Sequence, residues 1–245
     1  MVTREAWLTT LFNEYLAGPG NWLLSLFHQT AANPKEPWAD FIVMQILVAI
    51  LIVATLLVLR SSLSVDKPGK MQHIFEMLYQ FIGGEANDQV GHEGGHHMVV
   101  FMTLFLFILL SNLLGIIPGF IGPTQCYYVP AGCALLAFVY YNWVGLKKNG
   151  LWKYTKHFFG PMIYLAPLMF PIEIISHLAR PLSLTIRLFA NMYAGEKVTL
   201  AFLGLTYLVV PSIFMGLHVF VALLQAYIFV LLTMIYVAGA VAEEH

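Results

Sequence analysis

Only two acidic side chains, Glu173 and Glu196, occur between residues 94 and 242, and each lies near an arginine in a run that is otherwise strongly apolar. An ionisable group at membrane depth costs at least ~2.5–3.5 kcal/mol, so such groups normally line a bundle interior or a water-filled path. Glu173, Arg180 and Arg187 follow one another at intervals of seven residues. In a helix that spacing offsets each by only about 20° from the last. Ser176, His177, Ser183 and Asn191 fall within roughly a quarter turn of the same line, which gives a polar stripe about 27 Å long from Glu173 to Asn191. Glu196, nine residues past Arg187, points nearly the opposite way. A second stripe follows: His218, Gln225 and Tyr236, at intervals of seven and eleven, share one helical face with Thr233 beside them. Two antiparallel helices with facing polar lines, one carrying a fixed cation at its middle, describe a proton path interrupted by a charge. Structural alternatives stay open for single residues. Glu173 and Arg180 could form an internal ion pair, His177 could be a polar neighbour, and Gln225 and Tyr236 could be interhelical hydrogen-bonding groups. Asn112, beside Ser111, could pin a hairpin.

The elements that must position these groups follow from hydropathy. Hydrophobic residues make up 59% of the 245, charged residues 10%, and the mean hydropathy is +0.76. Those values exclude an ordinary soluble domain and describe an all-α polytopic membrane protein. A formal charge of -1 supplies no basic stripe for phosphates, so no nucleic-acid partner is expected. Cys126 and Cys133 match neither a disulfide framework nor a zinc pattern. The first residues, with Glu5 and Glu14 among apolar ones, do not read as a cleaved signal; they predict an ordered or interfacial arm.

A membrane core of about 30 Å needs roughly 20 apolar residues in helix. The chain reads as one membrane domain over residues 1–245: an outside arm at 1–40, a first span at 41–60, and an interfacial amphipathic helix at 70–83. A transmembrane hairpin follows at 97–121 and 129–146, and then two long antiparallel membrane-embedded helices at 158–206 and 212–242, with Pro211 at the turn between them. Met71, Ile74, Phe75, Leu78, Phe81 and Ile82 carry the period of the interfacial helix. Residues 83–97 read as a polar loop. Pro171 and Pro181 predict kinks in the first long helix. With the N-terminus outside, the flanking basic residues divide seven inside (Arg60, Lys67, Lys70, Lys147, Lys148, Lys153 and Lys156) to two outside (Arg4 and Lys35). The positive-inside rule prefers that arrangement, and it leaves the C-terminus cytoplasmic.

The segments RLFANMYAGE, SNLLGIIP and LLQAYIF resemble signature segments of subunit a of the F-type ATP synthases, and the similarity runs from DKPGKMQ to the C-terminal EEH. The resemblance implies a stator whose long helices pack against a rotor ring of c subunits, with peripheral stalk b subunits, the remaining ATP synthase subunits and membrane lipid as its other partners. It implies a bacterial inner membrane location, no ATP chemistry in this chain, and no cofactor. Arg187 matches the arginine that faces each rotor carboxylate. Asn191, Glu196, His218 and Gln225, with Asn112 from the hairpin, match the half-channel to the outside. Glu173, Ser176 and Arg180 match positions near the inner half-channel, to which the spacing adds His177 and Tyr236. Gly115 stands where certain relatives carry an aspartate, and Ala190 replaces a common glycine. Glu196 and His218 are expected to interact across facing helices.

HEGGH, residues 92–96, matches the H-E-x-x-H zinc pattern, which needs both histidines on one helical face. Gly94 and Gly95 disfavour that helix and no third ligand is evident, so an exposed loop without metal is expected. A secondary transporter would show internal repeats with matching broken helices. The sequence contains none.

Overall fold

The computed structural model describes residues 7–26, 33–64, 67–117, 119–157, 166–205 and 209–241. Among them the secondary structure is seven α-helices and two short 3-10 turns, without a strand. The helices are α1 (Trp7–Leu26), α2 (Asp40–Ser62), α3 (Lys70–Val90), α4 (Gly94–Leu114), α5 (Tyr128–His157), α6 (Ala166–Leu205) and α7 (Val209–Val241). By length and apolar composition Asp40–Ser62, Gly94–Leu114, Tyr128–Lys148 and Val210–Val241 can each cross a membrane. The chain is an all-helical polytopic membrane protein.

Helix α7 is the centre of the bundle and touches α3, α4, α5 and α6. Water drives little helix association inside a bilayer, so close packing must do it, and small side chains allow the closest approach. Ala134 and Ala137 of α5 and Ala222 and Ala226 of α7 are all fully buried in that core. Phe101, Ile108, Leu188 and Phe229 fill the space between them. A Leu at Ala222 or Ala226 would force the neighbouring helices apart. α2 stands at the margin, with Met44 and Val48 meeting Leu114 and most of its remaining surface exposed.

Several boundaries differ from the sequence expectation for physical reasons. The interfacial helix does not stop at residue 83: α3 runs to Val90, and a 3-10 turn at Gly91–Glu93 leads directly into α4. The expected polar loop is therefore helical. Gly83 and Gly84 lower its intrinsic propensity, but Ile82 and Ala86 are buried against the core and hold it. Gly94 permits the crossing, since a β-carbon there would lie 2.5 Å from the Ala86 carbonyl oxygen. α4 ends at Leu114 rather than 121. Gly115 backs onto Gly122 there, and a β-carbon at 115 would meet the Gly122 Cα at 2.8 Å. An aspartate at 115 would require that backbone to shift. α5 reaches His157 only across a break at Gly150, whose φ of 73° suits glycine.

α6 is one helix of 40 residues that passes through both Pro171 and Pro181. At ~1.5 Å per residue it is about 60 Å long, twice the thickness of a hydrocarbon core of about 30 Å. Pro211 lies inside the first turn of α7, where its missing N–H has no helical partner to lose. Residues 158–165, the expected start of the first long helix, and 206–208, between the two long helices, lie outside the described residues. The same holds for 1–6 and 27–32 of the arm.

Candidate functional site

Helix α6 carries its polar stripe along the border between a buried and an open face. Leu184, Leu188 and Met192 turn inward, whereas Ile175, Leu178, Leu182 and Ile186 are exposed. Glu173, His177, Arg180 and Arg187 are all half-buried at that border. Ser176, Ala179, Ser183, Ala190 and Ala194 add small exposed positions to the open face. α7 contributes a comparable apolar face through Ile213, Leu217, Phe220 and Leu224, spaced four, three and four residues apart.

Arg187 has no carboxylate partner among the described residues. Its one hydrogen-bond contact is a long one, in which Nη2 donates to Ser183 Oγ at 3.5 Å. A guanidinium is protonated at any working pH, so a permanent cation stands at the edge of the open face with its neutralising charge not supplied by the described chain.

Beyond Arg187 the two stripes meet. Asn191 Nδ2 donates to Gln225 Oε1 at 2.9 Å, which fixes the side-chain line of α6 against that of α7. Gln225 Nε2 is buried without a partner, as is Nε2 of His218. The His218 ring lies against Gly195, the residue before Glu196. Glu196 is within electrostatic reach of the ring, but no ion pair of 4.0 Å or less joins them. Glu196 and His218 therefore face each other electrostatically without a close ion pair, and the ring packs on the bare backbone of Gly195. Asn112 approaches from α4. Its Nδ2 donates to the Ala222 carbonyl of α7 at 3.3 Å, and its Oδ1 accepts from Thr124 Oγ1 at 2.8 Å. Thr124 belongs to the 3-10 turn Pro123–Gln125 and orients the Asn112 amide so that its NH2 faces α7.

Toward the other end of α6 the structure replaces the possible Glu173–Arg180 ion pair with a different assembly. The Arg180 guanidinium lies 5.1 Å from the Tyr236 ring centroid on α7. Tyr236 packs on Tyr141 of α5, with centroids 5.7 Å apart. Tyr141 OH stands 3.3 Å from Nε2 of His177, and the same nitrogen lies 2.9 Å from Asn142 Oδ1. An amide oxygen only accepts, so the imidazole donates to Asn142 through Nε2–H. Glu173 and Ser176 lie on the border and the open face without a hydrogen bond to the described chain.

Tyr141, Asn142, Thr124 and Gly195 are the residues that sequence reasoning missed. A signal existed for α5, because Tyr141 and Asn142 are polar groups within a span, and such groups face the bundle interior. Of the histidine motif, Glu93 ion-pairs with Lys148 Nζ at 2.9 Å. That hydrogen bond holds the Glu93 carboxyl below its usual range, against a smaller opposing effect of burial. His96 is exposed on the first turn of α4, which Gly94 and Gly95 open rather than prevent. His97 instead meets Tyr140 OH at 2.7 Å. The side chain of His92 lies outside the described residues. Among those that are described, no three ligating groups come together to hold a metal.

Comparison with known proteins places these features in a family. The family model described as ATP synthase A chain matches residues 41–238. The ATP synthase subunit a of Solibacter usitatus is 60% identical over 235 residues, covering 96% of this chain and all of that protein. The subunit a of Koribacter versatilis is 46% identical, with 98% of each chain covered. That of Geotalea daltonii is 42% identical over 82% of this chain and 86% of its own length.

Proposed function

The chain belongs to the ATP synthase A chain family, the subunit a of F-type ATP synthases, and from that membership we propose that it is the stator that couples proton passage to rotation of a ring of c subunits. The open faces of α6 and α7 meet that ring, and Arg187 faces a carboxylate on each rotor subunit in turn. The observation that carries this reading is the half-buried cation of Arg187, which has no acidic partner among the described residues and borders a face of small and apolar side chains.

A rotor carboxylate crosses lipid only when neutral, because an unpaired charge in a low-dielectric medium is too costly. It must take its proton from one half-channel and release it to the other. Asn112, Asn191, Glu196, His218 and Gln225 line the path to the outside. Glu173, Ser176, His177, Arg180 and Tyr236 line the path to the inside. Between them Arg187 attracts an ionised rotor carboxylate and blocks direct passage, since a guanidinium does not give up its proton. Proton flow then requires turning. ATP chemistry resides in other subunits, and peripheral stalk b subunits hold the stator still. The chain sits in the bacterial inner membrane with its N-terminus outside and its C-terminus in the cytoplasm.

The test is Arg187→Ala in the assembled complex. ATP-driven acidification of vesicles is expected to vanish while the amount of assembled complex stays unchanged. Acidification near the unaltered rate would overturn the reading. Activity without any rotor ring would point instead to a self-contained transporter.

A further inference from the structure

Helix α1 is built the wrong way round for a helix in water. Two of its polar side chains are engaged by its own chain: Asn13 Nδ2 donates to the Trp38 carbonyl at 3.2 Å, and Asn13 Oδ1 accepts from the Trp38 N–H at 2.9 Å. Asn21 Nδ2 donates to the Pro34 carbonyl at 2.8 Å. Pro19 interrupts the hydrogen-bond ladder, and the helix leaves helical geometry at Leu16. The Leu16 carbonyl takes the Trp38 indole N–H at 2.7 Å. Gly20 makes room for that indole, since a β-carbon there would lie 2.7 Å from its nitrogen.

Beside the exposed Thr10 and Glu14 of its polar side, α1 turns apolar and aromatic groups outward. Trp7, Leu11 and Tyr15 are four residues apart on one face and exposed, as are Trp22 and Leu26 beyond the break. Tyr15 and Trp22 are among the most open large side chains of the molecule, at 73% and 64% exposure. The helix is not apolar enough to count among the candidate spans. Leu8 nevertheless packs with Leu47 around Met44 and Val48, in the first turns of the first span, and Trp7 meets Phe120 at 6.3 Å between ring centroids. Its exposed face therefore continues the exposed apolar surface of α2 at one end of that span. Tryptophan and tyrosine favour that level, where their rings lie in the acyl boundary and their polar atoms reach the headgroups.

We propose that α1 is an in-plane membrane anchor, with the face formed by Trp7, Leu11, Tyr15, Trp22 and Leu26 seated in the interfacial layer of the lipid bilayer beside the first span. The clasp by Asn13 and Trp38 fixes its depth. This placement depends on the chain being a membrane protein and not on the proton path.

Spin labels test the placement in the assembled complex reconstituted into phosphatidylcholine vesicles, on a background in which Cys126 and Cys133 are replaced by Ser and Ala. Labels at Leu11→Cys and Trp22→Cys should collide several-fold more with oxygen, which concentrates in lipid, than with a water-soluble nickel chelate. The reverse order is expected at Thr10→Cys on the polar side. A preference for the nickel chelate at Leu11 and Trp22 would overturn the proposal by placing that face in water. Shielding from both reagents would overturn it by placing the face against another protein. The unaltered complex supplies a second measurement: an apolar photoactivated carbene reagent dissolved in the lipid should label α1 on its aromatic face, and an unlabelled α1 beside a labelled α2 would count against the anchor.

Discussion

The imidazole of His218 lies so close to Gly195 that a β-carbon on Gly195 would stand 2.6 Å from its Nε2. The ring occupies a space that exists because position 195 has no side chain. Gly195→Ala should therefore displace His218 while leaving Glu196 in place. Overpacking of this kind costs typically ~1–3 kcal/mol, and ATP-driven acidification should fall several-fold. If the loss runs through His218, adding Gly195→Ala to His218→Ala should cause little further decline, a strongly non-additive cycle. Additive losses would mean that Gly195 acts by another route.

The His177 imidazole donates to Asn142 Oδ1, while Asn142 Nδ2 donates to the Phe138 carbonyl of its own helix at 2.7 Å, so the oxygen is the atom that links the two helices. Asn142→Asp keeps an oxygen at that place and should retain most proton flux. Asn142→Leu removes it and takes one hydrogen-bond partner from a half-buried ring that keeps Tyr141 OH at 3.3 Å. Flux through Asn142→Leu vesicles should be clearly the lower of the two. Equal flux through both variants would mean that Asn142 does not position His177 for proton passage.

The ion pair of Glu93 with Lys148 predicts a pH dependence of defined sign. Its carboxyl is held below the usual range in the folded protein, so the stabilisation is complete above the ordinary carboxylate pKa and is lost as pH falls through the depressed folded value. Lys148→Met should melt slightly earlier than the unaltered protein at neutral pH. The two melting curves should converge in acid, and also at high salt, because an exposed pair is screened. A gap that persists in acid would mean that Lys148 acts through packing.

Replacing His92 and His96 together with Gln should leave ATP-driven acidification unchanged, because His96 is exposed at the end of α4 and the neighbouring glutamate is engaged by Lys148. Loss of pumping, together with zinc restoring the unaltered protein after chelation, would reverse that view.

What could be read in the sequence was whatever repeats along one helix. The seven-residue interval of Glu173, Arg180 and Arg187 marks one side of α6 whatever α6 packs against, and the alignment of Asn191 with Gln225 followed from facing stripes. Contacts between distant segments left no such mark. Nothing near Asn112 announces Thr124, and nothing near His177 announces Asn142, because these pairs form only when separate helices are packed. Close approach was hidden for a related reason. Gly195 is informative through the atom it lacks, and the ring that fills the space arrives from another helix. The end of α3 was misread because glycine lowers helix propensity locally, whereas burial of Ile82 and Ala86 restores the helix through tertiary contact.

The unmatched charge on α6 also bears on how the cell keeps this protein. On the proposed stator role, a newly inserted copy without its ring would hold Arg187 at the margin of a lipid-facing surface, at a penalty of at least ~2.5–3.5 kcal/mol for a guanidinium near the bilayer centre. Assembly with a carboxylate-bearing ring would relieve that penalty, and lone chains would keep it. Orphaned copies would then be the ones that distort, expose backbone and reach the membrane proteases first. The same arginine would act before any proton moves, matching the number of stators in the membrane to the number of partners available to receive them.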